Sequence, residues 1–197
     1  MADGWAAVAA LFAGGSLLEA CGAAFGLVYV ILAVRESRWC WLYAFASTAL
    51  YFGVFAQARL YMQAGLQLYF LAVAAYGWVA WKGDKGNRPV VLGRLGTNVA
   101  ALAGLWVLAE GSARLLAVET HSAAPLLDAL STWASVYATG LQARKYRENW
   151  LWWIVIDLLI AGLCLRQGLY LTTLLYGVFV GLAVLGWRSW RPIQAAA

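Results

Sequence analysis

Charge is what this sequence has least of. Only 12% of its 197 residues are Asp, Glu, Lys or Arg, about half the share of an ordinary globular domain. Histidine is nearly absent. His121 is alone, in a loop-like stretch without the ligand cluster that a zinc site needs, and this argues against a zinc centre or a Ser/His/Asp hydrolase. The three cysteines, Cys21, Cys40 and Cys164, are odd in number and scattered, with no C-x-x-C spacing. They read as small buried hydrophobes. No G-x-x-x-x-G-K-[ST] loop is present, so nothing marks the chain as hydrolysing ATP. The net charge of +5 does not form a basic stripe with interleaved polar contacts, which argues against nucleic acid as a partner.

Apolar and aromatic residues fill the space that charge leaves. Hydrophobic residues make up 64% of the chain, and it carries 12 Trp and 10 Tyr. Long apolar runs with rings at their ends are the pattern of a membrane protein with interfacial aromatic belts. The runs fall at 17–34, 39–56, 60–81, 98–118, 126–143, 150–165 and 169–187. At ~1.5 Å per residue the first three runs rise about 27–33 Å, against a hydrocarbon core of ~30 Å. The expected fold is an all-α integral membrane protein of seven transmembrane helices. Residues 1–15, with the acidic Asp3 where a signal peptide wants a positive charge, read as a short outer helix or a ragged start. Residues 82–96 collect Gly, Pro, Asn and four positive charges and read as a loop.

An internal repeat organises these runs. W-x-W opens one copy at Trp39 and Trp41, and the other at Trp150 and Trp152. Leu60-Tyr61 matches Leu169-Tyr170. G-W-x-x-W closes each copy, at Gly77, Trp78 and Trp81 and at Gly186, Trp187 and Trp190. The opening pair is offset by 111 residues and the later landmarks by 109, which implies two extra residues in one copy. The expected organisation is a single transmembrane domain over 1–197, with repeat one at 17–81, a linker helix at 98–118 and repeat two at 126–190. One unpaired helix between two triplets makes the repeats parallel, in the 3+1+3 layout of the SWEET sugar transporters.

Lys and Arg set the orientation. Loops after the first, third and fifth spans and the C-terminal end hold eleven of them, and the other side holds Arg59, Arg114 and Arg166. The positive-inside rule then places the N-terminus outside and the C-terminus in the cytoplasm.

Polar residues inside apolar spans are the candidates for a site. Asp157 is halfway along WIVIDLLI, and a charge at mid-bilayer costs at least ~2.5–3.5 kcal/mol unless it faces protein or water. Glu19, near the end of its span, can snorkel to the surface. Gln67 lies in the third span, and Thr132, Ser135 and Thr139 share a face of the fifth with Asp128 above them. Ser47 and Thr48 give the second span a polar spot. Tyr69, Phe70, Trp133, Tyr137, Trp153 and Tyr176 place rings within spans, where they can sandwich a flat or cationic heterocycle. Trp39, Trp41, Trp81, Trp150 and Trp190, at span ends, are expected in the interface belt and in repeat packing.

The runs LQLYFLAVAAYGWVAWK, ARKYRENWLWWIVIDLLI and QGLYLTTLLYGVFVGLAVLGWRSW resemble the PnuC family of bacterial vitamin transporters. The similarity extends from Glu19 to Trp190. It rests on Y-G-W-x-x-W at 76–81 together with R-K-Y-x-E-N-W at 144–150. The resemblance implies a seven-span carrier, not an enzyme. It implies facilitated diffusion of nicotinamide riboside, thiamine or riboflavin across the bacterial inner membrane, with no cofactor. A cytoplasmic kinase would trap the vitamin, and the assembly would be a homotrimer. Gln67 matches a polar position of the third span in nicotinamide riboside carriers, Asp128 the acidic residue that opens the fifth, and Trp153 the W-L-x-W region. At Asp157 the chain departs from those carriers, which have Asn. An ionised carboxylate there favours a cation, so it suits nicotinamide riboside or thiamine over neutral riboflavin or a sugar. Nicotinamide riboside is the leading expectation, bound near mid-membrane between the two triplets and moved by their rocking. The topology is directly checkable: a C-terminal green fluorescent protein fusion should fluoresce, and a C-terminal alkaline phosphatase fusion should be inactive.

Overall fold

The computed structural model describes residues 17–57, 61–82, 90–92, 95–119, 125–166 and 170–191. Among them are seven helices: α1 (Leu17–Val34), α2 (Cys40–Gln57), α3 (Tyr61–Ala80), α4 (Leu95–Glu119), α5 (Pro125–Ala143), α6 (Asn149–Arg166) and α7 (Tyr170–Ser189). Each begins and ends within three residues of its apolar run. Helix lengths of 18 to 25 residues correspond to about 27–38 Å. Among the described residues, however, no helix combines the length and the apolar continuity of a self-sufficient membrane span. Polar residues dilute the runs, including Ser47 and Thr48 in α2, Gln67 in α3, Glu110 and Arg114 in α4 and Asp157 in α6. Residues 1–15, His121 and the 83–89 part of the basic loop lie outside the described residues.

The chain divides into two compact units, Met1–Lys82 and Gly83–Ala197. In the first, α1 packs on α2 and α2 on α3. In the second, α4 packs on α5, α5 on α6 and α6 on α7. A core of Ala109, Ala113 and Ala129, flanked by Leu126, Leu130 and Trp133, joins α4 to α5. The small alanines let those two helices approach closely, which is how helices pack where lipid replaces water.

The internal geometry of the α1–α3 unit recurs in α5–α7, and it corrects the expected register. Trp41 is buried against Gly77, where a Cβ would land on the indole ring, and Trp150 is buried against Gly186 in the same way. Trp41 meets Trp81 edge-on, with centroids 5.3 Å apart and planes at 89°. Trp150 meets Trp190 at 5.4 Å and 89°. Both Trp41 and Trp150 keep a buried indole N–H without a partner among the described residues. The Arg38 guanidinium lies 3.8 Å over the Trp78 ring, and that of Arg147 lies 3.9 Å over the Trp187 ring. Every pair is offset by 109. The expected 111 at the opening pair, and the two extra residues it implied, are therefore wrong. Trp41 corresponds to Trp150, and Trp152 corresponds to Tyr43. The repeated W-x-W joined two tryptophan pairs that stand in different registers.

The turns repeat as well. After α1, Ser37 N–H donates to Leu32 O at 3.0 Å and Glu36 N–H to Ala33 O at 3.0 Å, with Glu36 at φ 54°. After α5, Tyr146 N–H donates to Leu141 O at 3.0 Å and Lys145 N–H to Gln142 O at 2.9 Å, with Lys145 at φ 59°. Both are Schellman closures, with a left-handed residue where glycine is usual. The second unit adds a staple: Val91 N–H donates to Lys145 O at 3.1 Å and Arg147 N–H to Val91 O at 3.0 Å.

Burial also revises the tryptophans placed in the interface belt. Trp41, Trp81, Trp150 and Trp190 are at most 4% exposed and belong to the core, while Trp39 is 55% exposed. Cys40 is buried and Cys21 is half-buried, and neither forms a disulfide. The Cys164 side chain lies outside the described residues. Gly77→Ala and Gly186→Ala should each lower stability by about 1–3 kcal/mol, because the new methyl displaces a tryptophan ring. Gly53→Ala, with open space around it, should change it by less than about 0.5 kcal/mol. Unfolding in detergent, followed by tryptophan emission, checks both.

Candidate functional site

Helix α6 organises the second unit because it packs on both α5 and α7. Its helical period puts Asn149, Trp153, Ile156 and Asp157 on one face and Glu148, Leu151, Trp152 and Val155 on another. Asp157 is 5% exposed and makes no hydrogen bond or ion pair among the described residues. One turn earlier, the Trp153 indole N–H donates at 3.3 Å to Oε1 of Gln142, which is buried on α5. The first face thus carries a fixed indole and a buried carboxylate in succession.

The other expected residues are placed as follows. Ser135 Oγ donates to Ser131 O at 2.7 Å, and Thr139 Oγ1 to Ser135 O at 2.7 Å. Both hydroxyls are engaged with their own helix backbone, as Ser and Thr are in apolar surroundings. Thr132 is half-buried on α5. The Trp133 indole N–H donates to Ser112 Oγ at 3.1 Å, and its ring lies against the α4–α5 alanine core. Tyr176, on α7, meets Phe179 with centroids 5.9 Å apart. In the first unit, Gln67 is half-buried on α3 and Tyr69 meets Phe70 at 5.6 Å. Ser47 is buried and donates to Gly22 O at 2.7 Å, joining α2 to α1. Glu19 and Asp128 take equivalent places in the two units, but their side chains lie outside the described residues. Among the described residues no cluster suits a metal ion.

Asn98 was not legible as a functional residue. On the first turns of α4, its Oδ1 accepts from Tyr137 Oη at 3.3 Å and from Trp152 Nε1 at 3.5 Å. Tyr137 and Trp152 meet edge-on, 5.0 Å between centroids. One amide therefore ties α4, α5 and α6 together, and it borders a cavity of about 450 Å³ with Glu148, Trp152 and Trp187. The only sequence signal was an amide near the start of the fourth apolar run.

Residues 16–192 match the family described as Nicotinamide mononucleotide transporter. The chain belongs to that family. This transporter is 27% identical over 203 residues to the nicotinamide riboside transporter PnuC of Escherichia coli, covering 89% of the chain and 85% of that protein. It is 29% identical over 173 residues to the riboflavin/roseoflavin transporter RibM of Streptomyces davaonensis, covering 84% and 80%. Its fold matches the crystal structure of the vitamin B3 transporter PnuC with a TM-score of 0.71, over 95% of this chain and 86% of that one, at 23% identity. Membership makes it a multi-pass protein of the inner membrane, and its relatives are transporters rather than enzymes. The helices are spans on that ground, which apolar continuity alone does not supply.

Replacing Asn98 with Leu should leave the Tyr137 hydroxyl and the Trp152 N–H without their acceptor. About 1–3 kcal/mol of stability should be lost, the scale of an orphaned buried polar group. Tyr137→Phe, which removes one donor, should cost about 1 kcal/mol. Denaturation midpoints in detergent separate the two.

Proposed function

We propose that this transporter carries a cationic vitamin, nicotinamide riboside, by facilitated diffusion through alternating access, as one homotrimeric membrane domain of 3+1+3 helices coupled to a cytoplasmic kinase. The observation that carries the choice of cargo is Asp157. A buried carboxylate with no partner among the described residues is costly, and a pyridinium ring would supply a positive charge for it. Trp153, held by Gln142, offers a ring face one turn away. Tyr176, Trp133 and Tyr137, with Tyr69 and Phe70, are the further aromatic candidates. Gln67, Thr132 and Ser135 are candidates for the ribose hydroxyls. Ser135 would act through the lone pairs left on a hydroxyl whose proton is already committed. Thiamine, with its thiazolium, satisfies the same charge argument.

The 29% identity to a riboflavin/roseoflavin transporter favours a second reading, riboflavin. That ring system is neutral and gains nothing from Asp157. Quenching of tryptophan emission, titrated with nicotinamide riboside, thiamine and riboflavin, separates the readings. Saturable quenching by nicotinamide riboside is expected, and Asp157→Asn should weaken it about tenfold or more, the scale of one charge-assisted contact. Unchanged affinity in Asp157→Asn removes the charge pairing but leaves transport intact. Quenching by riboflavin alone overturns the cationic cargo.

A further inference from the structure

The two triplets share one frame, so each serves as a control for the other. At the constant offset of 109, Ala33 stands in the place of Gln142, Ala44 in that of Trp153 and Thr48 in that of Asp157. Ala33 and Ala44 are both buried. With those alanines the first triplet closes the same tryptophan–glycine fit, the same edge-on ring pair and the same turn. The frame therefore does not require an amide, a ring and a carboxylate at these three places. All three come together in the second triplet, where a buried amide is costly unless it is bonded.

Gln142 stands one residue before the end of α5 and is buried. Its Oε1 accepts the Trp153 indole N–H at 3.3 Å. Trp153 and Asp157 are i and i+4 on α6, so their side chains are neighbours. Helical side chains lean toward the N-terminus, which carries the carboxylate toward the indole. The other residues three or four places from Asp157 on its helix are Ile154, Ile160 and Ala161, and none of these has a side-chain donor. The Trp153 N–H is thus the one such donor that α6 offers Asp157 within a turn. Gln142 takes it, and Asp157 makes no hydrogen bond or ion pair among the described residues. An indole tied by its N–H cannot turn without losing that bond, so its plane is set as well. We infer that Gln142 is a positioning residue for the cargo: by holding the Trp153 N–H it sets the plane of the ring and withholds that donor from Asp157, which leaves ring face and carboxylate together for one cationic heterocycle. This role rests on the reading that Trp153 and Asp157 bind the cargo. Gln142 acts on it from α5, through the indole.

Isothermal titration of the intact transporter in detergent with nicotinamide riboside tests this. Gln142→Leu keeps the bulk without an acceptor, and Gln142→Ala copies the first triplet. Each should bind about tenfold more weakly than the native protein, the scale of one hydrogen bond. Trp153→Phe keeps a ring with no N–H to hold, and should itself bind more weakly. Adding Gln142→Leu to it should change affinity by less than about twofold, because the two residues act as one unit. Asp157→Asn should weaken binding less in the Gln142→Leu background than in the native one, since the released indole N–H already occupies the carboxylate. Native affinity in both Gln142 variants overturns the inference. So do losses from Gln142→Leu and Trp153→Phe that add in the pair, as a merely structural role of Gln142 would make them do. If Trp153→Phe binds too weakly to titrate, Asp157→Asn decides, and an equal loss in both backgrounds overturns the inference. A native protein that does not bind nicotinamide riboside overturns the cargo reading and takes this role with it. That failure is distinct, because it is read before any variant is made.

Discussion

The packing of each triplet depends on a tryptophan ring lying flat against a glycine. At Gly77 and again at Gly186 the backbone of the third helix comes so close to an indole that no side chain fits between them. In water such a contact would be driven by the removal of apolar surface. Between helices in lipid that drive is absent, and close approach gains its stability from dispersion and shape. The rest of the motif follows from this one fit. With Trp41 and Trp150 in place, Trp81 and Trp190 can meet them edge-on. Arg38 and Arg147, three residues before those rings, are then positioned over Trp78 and Trp187.

The second unit keeps this frame and puts polar groups on it. Thr48 in the first unit corresponds to Asp157 in the second, Gly22 and Gly26 to Ser131 and Ser135, and Tyr43 to Trp152. Where α1 uses glycines to approach Tyr51 and Ser47, α5 has Ser131 and Ser135, and the Ser135 hydroxyl turns back to its own helix. The carboxylate and the extra amide of Asn98 both belong to the half that includes the linker helix. The buried carboxylate thus has no counterpart in the first triplet.

Much of the architecture was legible because it is periodic. Seven apolar runs gave seven helices with ends displaced by three residues or fewer, and G-W-x-x-W marked the closing contacts of both triplets. The opening register was misread because tryptophan was matched to tryptophan. The structure pairs Trp152 with Tyr43, a ring with a ring, but leaves Glu148 in the place of Trp39, so residue identity does not follow the register. Asn98 was illegible for another reason. A single amide near the start of a helix gives no sign of its partners, and its meaning arises only when Tyr137 and Trp152, far along the chain, converge on it. The isolation of Asp157 was legible as a cost, although its burial beside Trp153 required coordinates.

The bridge between Val91 and the turn at Tyr146 bears on how the chain is made. The first triplet contains every partner of its own tryptophan–glycine fit and can close as soon as α3 has emerged. The segment that leads into α4 is different. Its partner is synthesised only after α4 and α5, so its backbone groups wait in the interval for a turn that does not yet exist. The first triplet thus holds its closing partners within residues 38–81, whereas the opening residues of the second unit pair with a turn about midway through it.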